Sequence, residues 1–266
     1  MPAPPATRRA RTKGHGDDRR SLTDRIFRIL DCFAATGEPL STADVTRQTG
    51  LPKTTVHRIV DDLVSVGVLA RLDGRLHLGT HLFELGSLVP PNRELREAAL
   101  PFMEDLYEAT HEIVHLGILD GSDVLYLVKI SGHDRVPVPT RDGARLSAHA
   151  VALGKALLAA SPKAVVRRVL AHPLPAMTPN TIVDPAALLR ELAQIAQTAV
   201  AFDREEAFPG VVCAAAAITL PRFPGRAAIS VTGARGRFDP DHAAAAVRLA
   251  AFAISRSLEN GSPTSS

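Results

Sequence analysis

Three short stretches hold the reactive side chains of this chain. His111-Glu112-Ile113-Val114-His115 fits the HExxH pattern of zinc-dependent hydrolysis. That reaction needs both imidazoles on one helical face and the glutamate beside the metal-bound water. Here the helical apolar spacing of residues 94–110 gives way to strand-like alternation from residue 113, so the motif straddles a helix end and a strand start. No third ligand is evident. The expectation is no metal site, with His115 an ordinary strand residue. Gly154-Lys155 resembles part of a phosphate loop, but the earlier glycine and the Ser or Thr after the lysine are both missing. Cys213 and His149 would make a nucleophile and a base. Nothing in the sequence sets one beside the other, and GxSxG does not occur. A cytosolic metal- or Cys-dependent hydrolase is therefore the alternative reading, and no catalytic residue, cofactor or metal ligand is assigned.

A fourth stretch is built to bind rather than to react. After Pro52, the residues Lys53, Thr54, Thr55, His57 and Arg58 open a helix whose outer face carries no acid before Asp61. A helix entering a DNA major groove must offer donors and positive charge at its first turns, because carboxylates there are repelled by phosphate. Val56, Ile59, Val60, Leu63 and Val64 supply the opposite, buried stripe. Thr42 on the preceding helix, and Arg71 and Arg75 on the ribbon that follows, join the candidate DNA contacts.

These residues need a scaffold, and the flanking sequence supplies one. Leu22, Ile26, Ile29, Leu30 and Phe33 recur at helical spacing behind Ser21, with Asp24 placed as a capping acid; Gly37 and Pro39 stop the helix. Ser41 caps a second helix that runs to about Thr49. Gly50 then gives the tight turn its positive φ. Asp73-Gly74 between the alternating runs 68–72 and 75–78 is a hairpin signal, which would make a wing. Helix, helix, recognition helix and wing predict a winged helix-turn-helix. Leu82, Phe83, Leu85 and Leu88 follow on a short helix with few places to bury them, so this linker is expected to contact a second copy of the chain.

Charge qualifies the DNA reading. Residues 1–20 hold six basic and two acidic side chains, residues 21–90 seven and eight, and the remainder eighteen of each. The module itself is near neutral, so the basic patch must be local. The arm at 1–20, with Arg8, Arg9, Arg11 and Lys13, is Pro-, Gly- and Arg-rich and reads as disordered. Apolar residues make up 45% and aromatics 4%, so Ala, Leu and Val must build the core. No apolar run is long and charge-free enough to span a bilayer. The charged start lacks a signal peptide's apolar core. The expected location is cytoplasmic. Cys32 and Cys213 stand far apart without CxxC partners, against a disulfide framework.

The second half alternates helices and strands. Residues 112–130 read as a hairpin turning at Asp120–Asp123, 131–145 as a loop, and 147–160 as one helix of small residues. Residues 186–198 follow as a helix capped by Asp184, and 241–258 as the last helix. The apolar run 211–220 suits strand or helix; the turn after it and the run 227–232 favour a hairpin.

The winged helix together with HAVALGKALLA (149–159), FDREE (202–206), GVVCAAAAI (210–218) and AAISVTG (227–233), in that order, resembles the IclR family of bacterial transcription regulators. The resemblance covers about 21–258. It implies an α+β chain: a basic arm (1–20), a winged helix-turn-helix (21–79), a linker helix (80–92), a C-terminal GAF-like α/β effector-binding domain (93–258) and a tail (259–266). It also implies homodimers or dimers of dimers on double-stranded operator DNA, answering to small carboxylic or aromatic acids. Carried over to this sequence, the effector-binding positions are Ala152 and Leu153 on the ALGKA-type helix, Asp203, Cys213, Ser230 and Thr232. Ser230 and Thr232 alternate onto one strand face, and the helix N-terminus offers free N–H groups to a carboxylate. The expected function is an effector-responsive regulator of a catabolic operon.

Overall fold

The computed structural model describes residues 21–89, 92–132, 136–219 and 226–260. The arm at 1–20, most of the turn at 221–226 and the last six residues lie outside them. Contacts separate the chain into two compact units, the first ending at residue 90 and the second beginning at residue 91.

In the first unit local sequence sets each boundary. Ser21 Oγ accepts from the Asp24 N–H at the start of α1 (Leu22–Thr36), and Gly37, in the left-handed region, closes it. A reciprocal Ser41/Asp44 capping box opens α2 (Thr42–Thr49), and Gly50, at φ 63°, ends it. The next helix, α3 (Lys53–Ser65), starts after Pro52 with no side-chain cap. Strands β1 (Leu69–Leu72) and β2 (Arg75–Leu78) form the hairpin, with Asp73 and Gly74 both at positive φ. That is the backbone a two-residue hairpin turn needs. Ile29, Phe33, Val45, Val56, Ile59, Val60, Leu69 and Leu76 fill the core. Leu40 pairs with Leu76 through both backbone hydrogen bonds, tying the α1–α2 connection to the wing. A short helix, α4 (Thr80–Ser87), contains no buried residue.

The second unit is a six-stranded antiparallel sheet between two helical layers. Its strands are β3 (Ile113–Asp120), β4 (Asp123–Ile130), β5 (Arg145–Ser147), β6 (Ala201–Arg204), β7 (Val211–Ile218) and β8 (Ala227–Ala234), in the order β5-β4-β3-β8-β7-β6. On one face α5 (Asn92–Thr110) and α9 (Pro240–Asn260) bury Leu95, Met103, Val247 and Ile254 against Leu116, Ile229 and Val231. On the other lie α6 (Ala152–Ala159), α7 (Lys163–Leu170) and α8 (Pro185–Thr198). Small residues Ala201, Ala215 and Ala228 on this face let α6 approach.

The expected single helix over 147–160 is a correction. Residues 145–147 pair as β5 with β4, Ala148–Ala150 make one 3-10 turn, and Val151 is extended before α6 begins. Pairing with β4 holds 145–147 extended, so the helix cannot start there; Gly154 then packs on the turn, where a Cβ would sit 2.1 Å from the Ala148 carbonyl oxygen. Two smaller differences are that the linker helix stops at Ser87 and that the last helix runs to Asn260, taking in Glu259 from the expected tail.

Candidate functional site

The first candidate surface is the outer face of α3. Lys53, Thr54, His57 and Arg58 are exposed and Thr55 is half-buried, while Val56, Ile59 and Val60 are buried behind them. The uncapped first turn leaves backbone N–H groups pointing outward beside Lys53, an arrangement suited to phosphate. Thr42 is half-buried at the start of α2. The two wing arginines are exposed but engaged. Arg71 pairs with Asp61 at 3.2 Å, and Arg75 donates to the Pro39 carbonyl at 2.9 Å. Folding thus anchors the wing through its own cations, which sequence alone did not show.

The second candidate is a small pocket between α6 and the sheet. Register places Asp203, Cys213 and Thr232 on one rung across β6, β7 and β8, and Ala215, Ser230 and His115 on the next across β7, β8 and β3. Paired residues share a face, here the α6 face. Ala152, Leu153, Asp203, Cys213 and Thr232 all line the pocket; Ser230, fully buried on the neighbouring rung, does not. The free space is about 20 Å³, room for one water molecule. Leu153, Phe208 and Val138 fill the rest.

The electrostatics of this pocket are unusual. Burial raises the Asp203 carboxyl to about 7, against the opposing help of the Glu206 N–H, which donates to Oδ1 at 2.7 Å. Burial pushes the Cys213 thiol up to about 12, and Thr232 Oγ1 donates to its sulfur at 3.1 Å. A thiol held that high is no nucleophile. His149 is occupied elsewhere, its Nε2 3.0 Å from the Pro175 carbonyl oxygen. The Cys–His pair of the hydrolase reading is therefore not assembled.

Behind the pocket sits a buried ion cluster that the sequence did not signal. Lys155 is fully buried within α6. Its Nζ donates to both Glu206 oxygens at 2.6 and 2.8 Å and to Glu191 at 3.2 Å. Glu206 in turn follows Asp203 on the turn after β6, and Thr178 and Thr181 donate to its carbonyl. Lys155 thus ties the ligand-facing helix to the strand end that carries Asp203.

His115 is a second correction. It is not an ordinary strand residue but a pocket wall, 2% exposed, with Nε2 2.8 Å from Thr140 Oγ1 and its ring edge-on to Tyr126. Burial lowers its pKa to about 3, so the ring is neutral. The remaining HExxH residues go separate ways. His111 has φ 51° at the helix end, and Glu112 is buried against Arg237 at 3.2 Å. Among the described residues no group of three His, Cys, Asp or Glu side chains is placed to hold a metal ion. A larger open cleft of about 580 Å³ includes Arg204, Arg235 and Arg237, but each guanidinium there is paired, with Asp241, Glu205 and Glu112 respectively.

A helix-turn-helix module shaped to read DNA, carried on the same chain as an α/β unit, defines the class of transcription regulators. Known proteins agree. Residues 22–73 match the IclR helix-turn-helix domain, and residues 89–256 match the bacterial transcriptional regulator IclR C-terminal domain. The chain belongs to the IclR family of transcriptional regulators. It is 36% identical over 214 residues to the HTH-type transcriptional regulator BhcR of Paracoccus denitrificans, covering 79% of this chain and 76% of that one. It is 32% identical over 241 residues to XynR of Escherichia coli K12, covering 88% and 96%. Among solved structures, an IclR homolog from Microbacterium hydrocarbonoxydans complexed with 4-hydroxybenzoate matches with a TM-score of 0.82 at 32% identity, over 90% of this chain and 99% of that one. The Thermotoga maritima IclR matches with a TM-score of 0.72 at 28% identity, over 89% and 98%. These relatives are regulators, not enzymes. The chain is accordingly a DNA-binding regulator, and no helix among its described residues is long and apolar enough to cross a membrane.

Proposed function

We propose that this chain is a cytoplasmic, effector-responsive repressor of a catabolic operon, and that a small organic acid in the α6 pocket controls its grip on operator DNA. The observation that carries the reading is the pocket itself: a helix N-terminus, Asp203, Cys213 and Thr232 converging on one small pocket. The 4-hydroxybenzoate complex of the Microbacterium homolog supports the acid class. The acid's carboxylate is placed at the first N–H groups of α6. Entry requires Leu153, Phe208 or Val138 to swing aside, because the free space is about 20 Å³. Binding then shifts the balance between two conformations by its differential affinity for them.

On the DNA side, Lys53, Thr54, Thr55, His57 and Arg58 read the groove, with Thr42, Arg71 and Arg75 bracing the backbone. A module of nearly balanced charge binds weakly alone, so the regulator works in pairs. Phe83 at 80% and Leu88 at 75% exposure give α4 an apolar surface suited to a second copy. A gel shift on the gene's own upstream DNA tests the reading. A sequence-specific shift that a small acid weakens or strengthens is expected; no specific shift, with or without acids, would sink it.

A further inference from the structure

One buried polar atom beside the pocket is unspent: Ser230 Oγ is fully buried and meets no hydrogen-bond partner, although it lies near enough to Cys213 to favour that thiol's ionised form. Leaving a buried donor or acceptor unpaired costs about 1–3 kcal/mol, so it marks a place for something else to complete. On the pocket wall itself Tyr126 and His115 offer further polar atoms, and the bond of the His115 ring runs from Nε2 to Thr140, which leaves Nδ1 for a ligand.

Their placement is specific. Tyr126 stands opposite Gly117 on the neighbouring strand. A Cβ at Gly117 would lie 2.8 Å from Val124 Cγ1 and 3.5 Å from Leu153 Cδ1. Burial raises the phenol's pKa, and the nearby Cys213 and Asp203 add to that rise. The His115 ring packs edge-on against Tyr126, centroids 5.0 Å apart at 78°, and so fixes it. His115 shares its rung with Ser230. Two charged side chains bear on this wall. Asp203 lines the same pocket, and Lys129, with Nζ on the carbonyls of Val138 and Thr140, adds to burial in lowering the His115 pKa. A hydroxyl or carbonyl can pair with the Tyr126 phenol and the His115 ring, whereas a second carboxylate would be buried beside Asp203.

We propose that Tyr126 and His115 are specificity-determining residues that select acids bearing a hydroxyl or carbonyl remote from the carboxylate. This rests on the effector-pocket reading above and adds the feature that discriminates among acids. A site built to bond a ligand hydroxyl rejects the analogue lacking it, because its own groups are then left unpaired.

The test is calorimetric titration of the full chain with two matched pairs, 4-hydroxybenzoate with benzoate and 4-hydroxybutyrate with butyrate. In at least one pair the hydroxylated member is expected to bind about tenfold or more tighter. Tyr126→Phe should collapse that ratio toward one by weakening the hydroxylated acid and sparing the plain one. His115→Gln carries the same test from the second position, and a circular-dichroism melt of each variant reports its fold. Equal affinity within both pairs, or an unchanged ratio in a folded Tyr126→Phe protein, overturns the assignment while leaving the pocket reading intact. Binding of no acid at all overturns both.

Discussion

Lys155 is the most exposed point of this design to a single substitution, because its charge is fully buried. Lys155→Met keeps a long apolar stem and removes the ammonium, which leaves the Glu206 carboxylate, 8% exposed, facing the place where two contacts of 2.6 and 2.8 Å had been. Removing one partner of a buried pair destabilises by about 3–5 kcal/mol, far more than the net worth of the pair. For a unit of this size each kcal/mol lowers the melting temperature by about 2–4 °C, so a drop on the order of 10 °C is expected. The assay is built into the sequence. The chain has no Trp and two Tyr, Tyr107 on α5 and Tyr126 on β4, so urea denaturation followed by tyrosine fluorescence reports the second unit alone. Lys155→Met/Glu206→Gln should recover most of the loss, because the uncompensated charge is gone. A loss below about 1 kcal/mol, or a double variant no more stable than the single one, would refute the view that Lys155 and Glu206 stabilise each other as a buried pair.

Further outcomes follow from the same geometry. Asp203, raised from 3.8 to about 7, favours the fold increasingly as pH falls through that range, whereas His115, lowered from 6.5 to about 3, disfavours it as pH falls through its own. Between about pH 4 and 6.5 the two slopes oppose, each at most about 1.4 kcal/mol per pH unit. Asp203→Asn should therefore lose stability on acidification relative to wild type, and His115→Gln should gain it; parallel urea profiles for all three proteins would contradict both shifts. Gly154→Ala normally stabilises a helix interior by up to about 1 kcal/mol, but here the added Cβ would meet the Ala148 carbonyl at 2.1 Å, so a loss of about 1–3 kcal/mol is expected in thermal melts. Arg58→Ala should weaken operator binding and lower the slope of log affinity against log salt by about one. Arg71→Ala should change that slope less in the same binding assay, because Asp61 already engages its guanidinium.

Much of the first unit was legible in the sequence because its devices are local. Ser21, Ser41 and Gly50 sit within a few residues of the groups they satisfy, and Asp73-Gly74 adopts the backbone its two residue types favour. The alternation that separates buried Val56, Ile59 and Val60 from exposed Lys53, His57 and Arg58 is likewise a property of one helix. For the pocket, family resemblance pointed to Ala152, Leu153, Asp203, Cys213 and Thr232, and these do converge on one volume. Composition and periodicity would not have brought them together.

The remainder depended on contacts between distant segments. Nothing near residue 151 breaks a helix; the pairing of 145–147 with β4 displaces its start, and Gly154 then packs against Ala148. Lys155 reads as an ordinary helix lysine until Glu206, 51 positions on, meets it in the core. Glu112 looked like part of a metalloprotease motif, and its partner Arg237 lies 125 positions away. His115 became a pocket wall because β8 set Ser230 beside it and Thr140 closed over its ring. Caps, turns and amphipathic faces are set by neighbours along the chain, and the sequence displays them. The burial of a charge, the orphaning of a hydroxyl and the shape of a cavity are set by neighbours in space, and folding creates them.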